Sequence, residues 1–381
     1  GGNTYYMFSI EPEKLLRISF VLHRVRANVE DFPTYQRLLK TNRIKSLSSY
    51  INEGGYFPNS IIINFETRGE KKNRQLEWED AGQRDDSISD HGILKIPNTF
   101  AIAYVIDGQH RLYGYSFSDS HHKFSQTIPV VAFVDLEKEE QLQMFLDINE
   151  NQKPISANLK STLYEDILWS SPKNSKKMLA LMSSINNLMG TERGSLISKY
   201  LSIGEDNSEI SMTTIMSGIK DSGFLPKVEK EEMIDSEGVL FRVGANDQAG
   251  EMNRIKLYLA EFLCLSFDYV ITNFEEVWMV KGGLIRSVRG AYAYIRTLGE
   301  LNVFLTKKGV LNKKSSVEER FEKIKKYINT LFKGLVEVQK NDDELRRVKS
   351  AYGASNKKIW NNLFTGIINK GFKDFTTPDY V

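Results

Sequence analysis

The sequence predicts an α/β (α+β) protein, with a mixed-sheet domain over residues 1–160 followed by a mostly helical domain over residues 161–381. Three observations carry this reading. Short β-branched and aromatic runs, Ser60–Phe65, Phe100–Ile106 and Ile128–Val134, alternate with segments of helical spacing in the first part of the chain. From about Leu159 onward helical periodicity dominates. Between the first two runs, Glu66–Lys95 is rich in Arg, Lys, Glu, Asp and Gly with few apolar residues. It reads as an exposed insertion in which disorder is the default.

Taken in order, Tyr5–Phe8 predicts an opening strand and Leu15–Leu22 a short helix or second strand. Tyr35–Asn52 has helical spacing at Leu38, Leu39, Ile44, Leu47 and Ile51, stopped by Glu53-Gly54-Gly55. The strand ending at Ile106 runs into a short helix, and the strand Ile128–Val134 into a helix with Leu142, Phe145 and Leu146 on one face. That helix ends near Asn149-Glu150-Asn151-Gln152, before Lys153-Pro154, and a new one starts near Ser156. In the second region, Tyr164–Trp169 and Met178–Met189 predict helices, Ser211–Thr214 a helix cap, and Gly204–Ile210 and Lys227–Glu237 surface connections. Leu257–Ile271 is the most apolar stretch, but Glu261 and Asp268 interrupt it and it is shorter than the roughly 20 residues that cross a bilayer, so it predicts a buried core helix.

Composition bounds the setting. A chain of 381 residues with 41% hydrophobic and 26% charged side chains has room for more than one core. A single cysteine, Cys264, allows no internal disulfide, and no charged-then-apolar leader opens the chain, whose Gly1-Gly2-Asn3 resembles a trimmed end. A cytoplasmic protein without a membrane partner is the expectation. His91, His121 and His122 have no cysteine pair or ligand spacing beside them, so no structural zinc is expected.

The chemistry concentrates at Asp107-Gly108-Gln109-His110-Arg111. A carboxylate, a glycine, an amide, an imidazole and a guanidinium stand together where a strand turns into a helix. A helix N-terminus offers backbone N–H groups and a dipole that favours anions, and the planar fork of Arg111 suits phosphate oxygens. The competing reading is an ordinary Asp-Gly turn with a surface His-Arg pair. Asn149, Glu150, Asn151 and Gln152 form a second polar cluster, explained in part by helix capping and suited to metal or ribose contacts if the fold brings it opposite the first.

From Arg43 to Leu163 the chain resembles the DGQHR-domain family, within the fold shared by ParB partition proteins and sulfiredoxin. The resemblance is carried by Val105–Arg111, by Phe145–Ser156 and, less specifically, by Arg43–Ile51 leading to Phe57–Ile63. Family members include DndB-like proteins of DNA phosphorothioation and DpdB-like proteins of deazaguanine insertion. The resemblance implies ATP and Mg²⁺ as cofactors, with Gly108, Gln109, Arg111, Asn149, Asn151 and Gln152 as nucleotide contacts and Asn149 and Gln152 near the metal. It also implies DNA and the other proteins of a modification and phage-defence system as partners, with homo-oligomers possible. Two departures limit it. The cysteine that sulfiredoxin needs is replaced by Gln109, and His110 stands where ParB has a second arginine, with no helix-turn-helix signature following.

In the mechanism this suggests, Arg111 and the backbone near Gly108 and Gln109 hold phosphates and His110 touches the γ-phosphate. Asp107 or Glu150 orients the attacking water. Two functions compete: an ATP hydrolase serving a DNA-modifying system, and a DNA-binding transcriptional regulator of a modification operon without turnover. The net charge of +2 decides nothing, since 51 basic residues face 49 acidic ones. Two local candidates for DNA contact are Arg286, Arg289 and Arg296, in one quadrant if a helix opens at Gly282-Gly283, and Lys323 and Lys326 on the basic helix after Lys307. That helix carries Phe321, Ile324, Ile328, Leu331, Leu335 and Val338 on its other face. Structural readings stand beside both: pairing with acids near Glu275-Glu276 for the arginines, and a solvated face for the lysines.

Overall fold

A computed structural model describes residues 4–21, 41–68, 74–82, 90–152, 155–192, 194–204, 208–280 and 283–340, together with Gly366. For residues 150–152 it describes the backbone alone. The expected helical residues 35–40, the middle of the 66–95 stretch and the basic residues after Lys340 lie outside the described residues. The described chain up to Ile155 forms one compact unit, and that from Ser156 a second.

Unit 1 is a five-stranded mixed sheet of β1 (Tyr5–Ile10), β2 (Ser19–Phe20), β3 (Ile61–Phe65), β6 (Ala103–Asp107) and β7 (Ile128–Val134), in the order β1-β7-β3-β6-β2. β7 runs antiparallel to β1 and parallel to β3, and β3 runs antiparallel to β6. The chain between Leu15 and Leu22 resolves both expectations, as helix α1 (Pro12–Ile18) followed at once by β2. One face of the sheet presents Ile61, Ile63, Phe65, Val105, Ile128 and Val130 to Leu15 and Ile18 of α1, Ile51 of α2 (Thr41–Asn52), and Leu112 and Tyr115 of α3 (Gln109–Ser116). The alternate residues Asn64, Tyr104 and Ile106 are also buried, and α5 (Lys138–Gln152) packs against β6. A sheet covered on both faces explains why its central strands read as continuous apolar runs.

The strand expected to begin at Phe100 begins at Ala103 instead, because Ala101 takes a left-handed φ of 59° that extended pairing does not accommodate. The register of β3 on β6 slips between Ile62, opposite Asp107, and Ile63, opposite Val105, so Ile106 is an extra residue in a bulge. Within the polar 66–95 stretch lies an antiparallel ribbon of β4 (Glu77–Asp80) and β5 (Gly92–Lys95). Its residues are largely exposed, and its pairing, not its composition, holds it. A short α4 (Ser120–Ser125) precedes β7.

Unit 2 is helical: α6 (Ala157–Leu168), α7 (Asn174–Thr191), α8 (Met212–Ser222), α9 (Gln248–Asn273), α10 (Glu275–Trp278), α11 (Val288–Lys307) and α12 (Val317–Lys340). The Ser156 and Ser211 side chains cap α6 and α8, accepting from the Leu159 and Thr214 amides. The stripe of α12 is buried as its spacing predicts, from Phe321 to Val338, and α9 buries Leu259, Phe262, Leu263 and Phe267 in the same core. No helix among the described residues is long and apolar enough to cross a membrane. The charged segment near residue 230 is a tight hairpin of β8 (Lys227–Glu229) and β9 (Glu232–Ile234), with Lys230 and Glu231 both at positive φ.

Candidate functional site

The Asp107–Arg111 corner begins where β6 ends. Gly108 stands at the N-cap of α3 with φ +93° and ψ 10°. The positive φ favours glycine, and a Cβ there would sit 2.6 Å from Ile61 Cδ1 and 3.1 Å from Arg111 Nη2, so the Ile61 methyl would have to move. The first turn of α3 closes with the Leu112 amide donating to the Gly108 carbonyl at 2.9 Å. Glycine brings no side-chain oxygen to cap the helix, whose N-terminal dipole favours an anion.

Arg111 reaches back over this turn. Its Nη2 donates to Asp107 Oδ2 at 2.7 Å and its Nη1 to the Asn59 carbonyl at 2.8 Å. The ion pair is 19% and 20% exposed on its two sides, enough for a ligand to reach. Asn59, in the Pro58-Asn59-Ser60 turn before β3, was not among the expected site residues. No residue type in that tripeptide signals that a backbone carbonyl stands there. Gln109 is buried and His110 half-buried.

The second expected cluster sits on the last turn of α5. Asn149 Nδ2 donates to the Phe145 carbonyl at 2.7 Å, a bond within its own helix. The backbone of Glu150, Asn151 and Gln152 continues the helix, but their side chains lie outside the described residues. Topology bears on their position. Gln141, near the start of α5, donates to the Leu136 carbonyl and to Glu66 Oε1, at the end of the sheet where β6 begins. The 15-residue helix spans about 22 Å and packs against β6, the strand that ends at Asp107.

The opposite end of the sheet holds a polar cluster that periodicity did not reveal. Asp135, at φ +50°, accepts from the Thr67 amide at 2.7 Å, the Thr67 hydroxyl at 2.5 Å and the Arg68 amide at 3.3 Å. Arg68 also pairs with Glu137. Buried Asn64 accepts from the Leu136 amide at 3.0 Å and donates to Glu66 Oε1 at 2.7 Å. Burial pushes the Glu66 carboxyl above its usual range against the hydrogen bond from Gln141, with Asp135 adding to the rise.

In unit 2 the arginine quadrant does not form. α11 opens at Val288, capped by Ser287 accepting from the Gly290 amide at 3.1 Å, so Arg286 precedes the helix while Arg289 and Arg296 lie on it. The segment after the glycines is drawn into the core by Leu284 and Ile285, both fully buried, and this delays the helix. Arg286 pairs with Glu209, not with Glu275 or Glu276, through Nε at 2.6 Å and through Nη2, and lies over the Tyr200 ring at 4.8 Å. Arg296 contacts Glu300 at 3.5 Å and the Tyr292 hydroxyl at 3.5 Å. Lys323 and Lys326 are exposed on α12.

A family model described as DndB, DNA-sulfur modification-associated, matches residues 1–201, which include all of unit 1 and extend through α6 and α7. No curated protein and no solved structure matches the chain. The match spans the Asp107–Arg111 corner and the α5 terminus together and covers more than half of the 381 residues. The chain therefore belongs to the DndB family, whose members are associated with DNA sulfur modification.

Proposed function

We propose that the Asp107–Arg111 corner binds ATP with Mg²⁺ by its phosphates and hydrolyses it in the service of DNA sulfur modification. The observation that carries this is the cradle itself. A glycine at positive φ opens a helix N-terminus with no side-chain cap, beneath a guanidinium held by two acceptors. That set suits a polyphosphate, and the amide oxygens that Asn149 and Gln152 carry are of the kind Mg²⁺ takes. Bound Mg²⁺ would neutralise charge developing on the phosphate oxygens.

The residues then divide the work. Asp107 already holds Arg111, so its carboxylate acts as the positioning group for the guanidinium. Glu150, on the last turn of α5, is left to orient the attacking water. His110 donates toward the terminal phosphate, and Arg111 turns part of its fork from the Asn59 carbonyl to the incoming anion.

The test is ATP hydrolysis by the full chain with Mg²⁺, with and without duplex DNA, beside Arg111→Ala. Turnover that falls about 100-fold or more in the variant supports catalysis at the corner. A second reading is favoured by one observation: both hydrogen-bonding partners of Arg111 lie within the protein, as in a purely structural corner. In that reading the protein is a DNA-binding regulator. Absent turnover under every condition, with duplex binding that survives Arg111→Ala, would establish it in place of the first.

A further inference from the structure

Unit 2 carries a surface groove of about 400 Å³ between the end of α11 and the first half of α12, and it takes in Lys323 and Lys326 of the basic helix face. Phe304 and Tyr327 line it with Lys308, Lys323 and Lys326, and Glu322 is the acidic residue of its wall. Glu322 is engaged by Lys325 at 3.1 Å, so the groove presents a local excess of positive charge. The two rings meet edge to face, 6.4 Å between centroids at 82°. Lys326 Nζ lies 4.9 Å from the Tyr327 centroid and Lys308 Nζ 6.0 Å from that of Phe304.

A solvated helix face accounts for the lysines, but not for Phe304, which keeps 46% of its surface in water on a helix whose other face fills the core. An exposed ring flanked by ammonium groups places a stacking surface beside cations, as base and phosphate lie side by side in a nucleotide. We propose that this groove binds single-stranded DNA, with a base on Phe304 and neighbouring phosphates on Lys308, Lys323 and Lys326. Duplex DNA fits it less well, because stacked, paired bases offer the ring nothing.

The test is fluorescence anisotropy of a labelled oligothymidylate with the full chain, over a range of salt, against duplex of equal length. Phe304→Ala should weaken single-strand binding about tenfold. The paired charge reversal Lys323→Glu and Lys326→Glu should make the salt dependence shallower by about 1.4 in log–log slope. Lys333→Glu, exposed on the same helix outside the groove, should do less than either. Equal affinity for duplex with no effect of Phe304→Ala would overturn the proposal in favour of simple phosphate attraction. Failure to bind DNA, with capture of an acidic peptide that Phe304→Ala abolishes, would overturn it in favour of a protein partner. ATP turnover measured without DNA should be unchanged in Phe304→Ala, so loss of strand binding and loss of the nucleotide reading register separately.

Discussion

The two ends of the unit 1 sheet each set an aspartate beside an arginine at a strand terminus, yet the carboxylates are used differently. At one end Asp135 is engaged by the segment after β3: it accepts from two amides and a hydroxyl of Thr67 and Arg68, and Arg68 turns to Glu137. At the other end Asp107 binds a guanidinium, while the helix start beside it has no side-chain cap. The first arrangement ties β7 to the segment after β3 and is complete in itself. The second puts its carboxylate on a side-chain cation beside a helix N-terminus, and that difference, more than residue type, separates a structural corner from a candidate site.

The sharpest way to break this comparison is Arg111→Ala. If its end of the sheet is chemical, ATP turnover should drop by a factor of about 100–1,000 while circular dichroism and melting stay near wild type. A comparable loss of folded signal would make both ends structural. Asp135→Ala should do the reverse. Losing three hydrogen bonds at a left-handed position should cost unit 1 about 2–3 kcal/mol in denaturant unfolding, and Asp135→Asn should recover much of it.

Gly108→Ala comes next, costing about 1–2 kcal/mol through its positive φ. It also sharpens the contrast, since the methyl enters the space between Ile61 and Arg111 and nucleotide affinity should fall with stability. The smallest effect belongs to Glu66→Gln, which keeps an acceptor for Asn64 and Gln141. A carboxyl raised by burial holds its proton more tightly folded than unfolded. Its stabilising contribution is therefore present below the unfolded pKa and is lost as pH rises through the folded one. Differential scanning calorimetry should show the variant melting about 1 °C above wild type at neutral pH, with no gain at acid pH; the half-exposed setting keeps the effect small.

Local chemistry made much of this legible. Ile128–Val134 emerged with both its ends, because apolar residues run unbroken between Thr127 and Asp135. The α12 stripe and the Ser156 and Ser211 caps followed from spacing of three and four residues. The Asp107–Arg111 corner was visible because every residue in it is consecutive. What stayed hidden depends on partners far along the chain. Asp135 meets Thr67, and Arg286 finds Glu209 rather than an acid nearby in sequence. The β4–β5 ribbon pairs the acidic Glu77–Asp80 with Gly92–Lys95, two four-residue segments within a polar stretch. Nor does Asn59 contribute a side chain to the corner; its backbone carbonyl does, and no residue type advertises a carbonyl.

The position of β7 between β1 and β3 has a consequence for how the chain comes to be folded at all. The last strand of the unit 1 sheet to be made is the one that joins the first, since residues 5–10 pair with residues 128–133 and, among the described residues, with no other strand. Until Ile128–Val134 has emerged, β1 has nowhere to dock and one edge of β3 stays open to any passing strand. Such non-local closure is slow, and a growing or truncated chain is exposed to mispairing meanwhile. By contrast α6 and α7, neighbours in sequence, pack on each other as soon as both exist. Fragments that stop short of Val134 should aggregate, and those that run through the end of α5 should be the shortest to yield a native sheet.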